Sequence, residues 1–322
     1  MAFIEYSQEP ELRSPILVAA FGGWNDAADA ATTTIKFLIE RWKPLRFGDI
    51  DGEDFFVYTE TRPSIQFTKG ALRKLTWPGG RFFAHIDPAL DHDIVLYLGP
   101  EPELRWKTFT REYLEVCKHL HISEVLLVGA FLANIPHSAT VPISGFASHP
   151  ELVERLSELD VRDSRYEGPT GIVGVLQDVF NTASIPSASL WAAAPHYLAA
   201  TPNIKVTAAL LTYLNTFLGM DLDLHDIQSD AVRFDEQITI LVERDPEASA
   251  YVRKLEEQAN EPEEEEEDDD DDDDDTDIVL NNPDRAPGTG PLPSADTLIR
   301  SVEELLRQER EQQQQFDEDE DQ

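Results

Sequence analysis

Two histidines each follow a proline just after an apolar run: His137 in Asn134-Ile135-Pro136-His137-Ser138, and His196 in Ala194-Pro195-His196-Tyr197. Imidazole titrates close to neutrality, so a converging pair at strand ends could serve as a general base or hold a metal. No third ligand stands at metal spacing, and the plainer reading is that each ring satisfies backbone groups in a tight turn. A second candidate is Phe21-Gly22-Gly23-Trp24-Asn25-Asp26, where a strand meets two glycines and then an alanine-rich helix start. Backbone N–H groups at such a helix start can bind an anion. The Asp26 carboxylate would occupy or repel that site, so the alternative is structural: Asn25 or Asp26 caps the helix while Gly22 and Gly23 allow a sharp turn. The spacing is neither a Walker A loop nor a dinucleotide fingerprint.

Tyr166-Glu167-Gly168-Pro169-Thr170-Gly171 places a carboxylate before a helix start, where Glu167 could hold a ribose or a protonated base. The competing reading gives Pro169 the first turn, Thr170 a local hydrogen bond, and Gly171 and Gly174 a close helix approach. Arginines also stand near tryptophans, Arg73 with Trp77 and Arg105 with Trp106. Such pairs serve anionic ligands and subunit interfaces alike, and an interface network is the expectation. Ser7, Ser144 and Ser189 lack a nucleophile-elbow context, so no hydrolase nucleophile is expected.

The elements that must position these residues are legible from periodicity. Ile16–Phe21, Asp93–Leu98, Glu124–Ala130, Val141–Ala147 and Ser187–Ala192 are apolar runs of strand length. Helical spacing of apolar residues covers 26–42, 103–120, 150–158 and 169–183. The succession 93–98, 103–120, 124–130 predicts a β-α-β unit with parallel neighbours. Short β-rich pieces at 45–49, 55–58, 64–67, 74–77 and 81–86 suggest a meander in or beside the main sheet. From Pro202 three amphipathic helices follow, at 202–217, 224–244 and 246–259. The expected organisation is an α/β core over residues 1–201, a helical annex over 202–259, an acidic disordered linker over 260–293, an amphipathic helix over 294–311 and a polar tail over 312–322.

The chain has 322 residues and a formal net charge of -37, and residues 260–322 alone carry 26 acids against 4 bases. That balance argues against nucleic acid or an anionic membrane as partner, since both call for clustered Lys and Arg. Glu263 to Asp275 is an unbroken acidic run without the apolar residues needed to offset ordering entropy, and it reads as a solvated tether. The lone Cys117 rules out an intramolecular disulfide, and no secretory signal or spanning segment is evident, so a cytoplasmic location is expected.

Taken in order, FGGWNDAADAAT, TWPGG, YLGPEPELRWKTF, GAFLANIPHSATVPISG, YEGPTGIVGVLQD and SLWAAAPHYLA resemble the bacterial branch of the proteasome assembly chaperone 2 family. The resemblance covers residues 1–259 and the helix from Ser294. It implies a three-layer α/β sandwich similar to the nucleoside phosphorylase fold, a helical C-terminal part and self-association as a homotrimer. It further implies a non-catalytic assembly factor with a protein client such as a proteasome subunit; the residues themselves lead to the expectation of no cofactor and no metal. The C-terminal hydrophobic-Tyr docking motif of archaeal relatives is not matched by Asp319-Glu320-Asp321-Gln322. The alternative expectation is a nucleoside- or phosphate-binding protein or enzyme using the crevice of Gly22, Gly23, Trp24, Asn25, Asp26, His137, Glu167, Thr170 and His196.

Overall fold

A computed structural model describes residues 4–68, 72–164, 166–199 and 202–260. The acidic run, the helix expected from Ser294 and the polar tail lie outside the described residues. The first half runs β1 (Ile4–Tyr6), β2 (Ile16–Gly22), α1 (Ala30–Trp42), β3 (Leu45–Ile50), β4 (Ser64–Thr68), β5 (Leu72–Thr76), β6 (Gly80–His85), β7 (Ile94–Pro100) and α2 (Trp106–His119). The second runs β8 (Glu124–Ala133), β9 (Ile143–Ala147), α3 (Pro150–Glu158), β10 (Arg162–Asp163), α4 (Ile172–Thr182), β11 (Ser187–Pro195), α5 (Ile204–Leu218), α6 (His225–Arg244) and α7 (Pro246–Asn260).

Nine strands form one sheet in the order β1-β3-β6-β7-β2-β8-β11-β9-β10, and β4 pairs only with β5. The central strands β7, β2, β8 and β11 are parallel. They read as continuous apolar runs because helices cover both faces, so neither face can carry polar side chains cheaply. Alternation along β2 shows this: Val18 and Ala20 pack with α1 and α5, while Leu17, Ala19 and Phe21 pack with α2 and α4. The result is a mixed α/β fold around a large central sheet.

Several expectations from the sequence are refined. β7 and β8 are parallel and joined through α2, but β2 lies between them. All of β2 except its last residue, Gly22, is buried, and the middle of the sheet is the place where both of its faces are covered. Residues 55–58 are not a strand. The N–H groups of Phe55 and Phe56 both donate to the Gly52 carbonyl, and this turn drives both rings inward, Phe55 edge-on to Phe109 with centroids 5.2 Å apart. The meander divides: β3 and β6 extend the main sheet antiparallel, while β4 and β5 stand apart as a hairpin. The helices after Pro202 differ in their packing, for α5 lies on α1 and β11, whereas α6 packs on α5 and α7 on α6.

Candidate functional site

The glycine corner at the carboxyl end of β2 is held from three directions. Gly23 has φ +109°, a left-handed value that an L side chain would strain, and the Gly22 carbonyl accepts from Glu101 N at 2.8 Å. Asn25, fully buried, is fixed by its backbone to β8, since Ala130 N donates to the Asn25 carbonyl at 2.9 Å. Its side-chain Nδ2 donates to Glu101 Oε1 at 2.8 Å, and the same oxygen accepts from Ile172 N at 2.7 Å. One carboxylate therefore joins the glycine corner to the first turn of α4, where negative charge is favoured by the helix dipole. A Cβ on Gly171 would lie 2.2 Å from Asn25 Oδ1, so this glycine makes room for the Asn25 amide rather than for another helix.

Asp26 is buried and caps α1 from a distance. Its carboxylate accepts from Thr32 N at 3.0 Å and from the Thr32 hydroxyl at 2.5 Å, across the short 3-10 turn 27–29. Burial raises its pKa, and the Thr32 hydrogen bonds offset part of that rise. Asn25 Nδ2 and the Asp26 carboxylate are thus engaged by protein groups.

A cavity of about 590 Å³ lies on the α4 side of the sheet. Its floor is Ser144 and Phe146 of β9 with Ser189 and Trp191 of β11, Gln177 and Val173 of α4 form a wall, and Trp24, Tyr166, Glu167 and Thr170 stand at its edge. The size suits a small molecule. Of the residues expected from the sequence, the cavity gathers Trp24, Glu167 and Thr170, while Asn25 and Asp26 lie behind the corner. Glu167 is exposed, and Thr170 Oγ1 makes a long local contact of 3.4 Å to the Gly171 carbonyl. Buried Gln177 donates to Ser187 through Nε2, and its Oε1 is buried without a partner among the described residues. Periodicity could have found the floor, because Ser187, Ser189 and Trp191 recur on one face of an otherwise aliphatic strand.

His137 and His196 converge elsewhere, on either side of Tyr197, with ring centroids 6.0 and 5.5 Å away. The Tyr197 hydroxyl accepts from His137 N at 2.6 Å and lies 2.8 Å from His137 Nδ1. His137 Nε2 lies 3.1 Å from Thr239 Oγ1, so both ring nitrogens are engaged by hydroxyl groups. Thr239 Oγ1 donates to the Asp235 carbonyl at 2.9 Å, which leaves its oxygen free to accept from His137 Nε2–H. Lys205 donates to the His137 carbonyl and to Asp235 at 2.8 Å, and Ser138 donates to Glu256 at 2.6 Å. His196 Nε2 meets the Tyr251 hydroxyl at 3.0 Å. These Pro-His turns dock α5, α6 and α7 onto the sheet rather than lining the cavity. Tyr197, which sequence reasoning passed over, is their common partner.

Burial lowers the pKa of both histidines; at His137, Asp235 and Glu256 pull it upward while Lys205 pushes it down. As pH falls through the unfolded value near 6.5, the unfolded chain takes up protons that the folded chain refuses, so stability is lost. Wild type should therefore lose more thermal stability between pH 7.5 and 5.5 than a His137→Gln, His196→Gln double variant. Equal losses would contradict this account of the cluster.

Arg105 pairs with Asp54 at 2.6 Å and Trp106 packs into the α2 and α4 side of the core. Arg73 lies over the Phe67 ring at 5.8 Å, and Trp77, 54% exposed, tilts on Tyr58 with centroids 4.9 Å apart. Among the described residues, no group of three or more His, Cys, Asp or Glu is placed to hold a metal, and no helix is long and apolar enough to cross a membrane.

A model of the PAC2 family matches residues 20–242 of this chain. No curated protein matches it. Among solved structures, a PAC2 family protein of Streptomyces avermitilis is 38% identical with a TM-score of 0.67, covering 74% of this chain and 99% of its own. A proteasome-assembly chaperone homologue of Mycobacterium tuberculosis is 39% identical with a TM-score of 0.66 at the same coverages of 74% and 99%. An archaeal proteasome activator of Pyrococcus furiosus shares the fold at 16% identity, with a TM-score of 0.60 over 74% of this chain and 97% of that one. With the family model spanning well over half of its length and bacterial relatives matched almost end to end, the chain belongs to the PAC2 family.

Proposed function

We propose that this protein is a non-catalytic assembly factor that self-associates, as a homotrimer, and engages a protein client such as a proteasome subunit in the cytoplasm. The observation that carries the reading is the 39% identity to the Mycobacterium tuberculosis proteasome-assembly chaperone homologue across 99% of that protein. The site geometry supports it, because Asn25, Asp26, His137 and His196 are all engaged in hydrogen bonds within the chain. The kinship with the nucleoside phosphorylase fold belongs to this reading as an analogy of architecture, which does not transfer an activity. Sedimentation of the purified chain tests the self-association: a single species of three times the 36.3 kDa chain mass is expected, and a monomer at micromolar concentration would contradict it.

The cavity supports a second reading, a small ring-bearing ligand stacked between Trp24 and Trp191 and hydrogen-bonded to Ser144, Ser189 and Glu167. A thermal-shift screen with nucleosides and nucleotides tests it. A ligand present at 100 times its dissociation constant adds about 2.7 kcal/mol of stability, and a Trp191→Ala variant should lose that response. An unchanged melting temperature with every compound would remove the reading.

A further inference from the structure

The β4 and β5 hairpin is the one part of the described chain whose apolar face is turned outward on both strands. Ile65 pairs with Leu75 and Phe67 with Arg73, so these four side chains share a face, and Trp77 continues it two residues on. Ile65 is 51% exposed, Phe67 73%, Leu75 48% and Trp77 54%. A lone two-stranded hairpin is marginal in water, and this one forms no ladder with the nine-stranded sheet. Its charge is also opposite to that of the rest of the molecule. Residues 61–86 contain Arg62, Lys69, Arg73, Lys74 and Arg81 and not one acid, in a chain of net charge -37. Among the described residues, Arg62, Arg73 and Lys74 make no ion pair, Arg73 being engaged only over the Phe67 ring.

The chain carries the matching surface in its own C-terminal segment. Glu263 to Asp275 supplies an unbroken run of carboxylates, and Leu298, Val302, Leu305 and Leu306 recur at three- and four-residue steps beyond it. Acid run and apolar stripe thus answer the two features that the hairpin leaves unpartnered, cations and apolar side chains. Reach is no obstacle, since the residues between 260 and 294 can span about 100 Å when extended, and like charges favour extension.

We propose that residues 261–311 dock on the β4 and β5 hairpin of the same chain, the apolar stripe on Ile65, Phe67, Leu75 and Trp77 with carboxylates on Arg73 of that face and on Arg62, and the acid run reaching around the hairpin to Lys74, which pairs with Gln66 on the other face. The hairpin is then covered until a partner displaces the segment, and high salt weakens the cover by screening its ionic part. This inference is independent of whether the client is a proteasome subunit.

Zero-length carbodiimide crosslinking of the full chain, mixed from isotopically light and heavy copies, tests it. With the light and heavy copies refolded together, crosslinks from Lys74 to acids within 261–311 are expected without light–heavy pairs, and with yields falling severalfold between 50 mM and 500 mM salt. Light–heavy pairs making up about half of these crosslinks, as random pairing between copies gives, would assign the hairpin to another copy and overturn the proposal, as would crosslinks solely to acids of residues 4–260 or none at all. Fluorescence supplies an independent measurement on folded protein. Full chain with Leu298, Val302, Leu305 and Leu306 replaced by Ser should show red-shifted, more readily quenched emission, and that change should vanish in a Trp77→Phe background. Identical quenching with and without the Ser replacements would also overturn it.

Discussion

Replacing Phe21 with alanine is expected to destabilise the folded chain by about 3–5 kcal/mol, measured by chemical denaturation. Phe21 is the last large side chain before the glycine corner and is fully buried. Its ring lies 4.8 Å from Tyr97, 5.9 Å from Tyr113 and 6.2 Å from Phe109, centroid to centroid, so it is the meeting point of β2, β7 and α2. Truncation would remove the apolar burial and leave a void that rigid neighbouring rings fill poorly. A loss below about 1 kcal/mol would show that this cluster collapses readily and does not anchor the corner.

Glu101→Ala should cost about 2–3 kcal/mol, because one carboxylate oxygen accepts from two donors, Asn25 Nδ2 and Ile172 N. Loss of Glu101 Oε1 leaves Asn25 Nδ2 and Ile172 N without that bond, and Asn25 Oδ1 already lacks a partner among the described residues. Glu101→Gln retains an acceptor and should cost less. Glu167→Ala is the control: exposed on the cavity edge, it should change stability by less than about 0.5 kcal/mol. The same melting temperature for Glu101→Ala and Glu167→Ala would contradict the view that the corner is a structural joint.

The central strands and long helices were readable in the sequence because their signals are local. Ile16–Phe21 is too apolar for any place but the middle of a sheet, and 150–158 carries helical periodicity after a proline. Strand order was not readable in the same way: nothing within 93–130 reveals that β2 inserts between β7 and β8. Residues 55–58 misled because their aromatic content suits a strand, whereas Phe55 N and Phe56 N close a turn on the Gly52 carbonyl, and the chain there passes so near Pro78 that a Cβ on Gly52 would lie 2.2 Å from its carbonyl oxygen. β1 and β10, of 3 and 2 residues, are too short to leave a pattern.

The site was legible in its pieces and not in its assembly. Asn25 and Asp26 were recognisable as capping residues from their type, but the clasp from Glu101 joins positions 76 residues apart. The two Pro-His turns do come together, as their shared position after apolar strands suggested, yet they do so around Tyr197 beneath α6 and α7. There His137 Nε2 meets Thr239 of α6 and His196 Nε2 meets Tyr251 of α7. Trp191 joins Trp24 at the cavity only because β11 lies beside β8, a tertiary fact with no trace in local spacing.

The measurement that bears most directly on the proposed function is in-cell crosslinking followed by purification of the full chain and identification of its stoichiometric partners. An assembly factor of this family should return a proteasome subunit crosslinked to it in every preparation. Repeated recovery of crosslinks among copies of this chain alone would contradict the account.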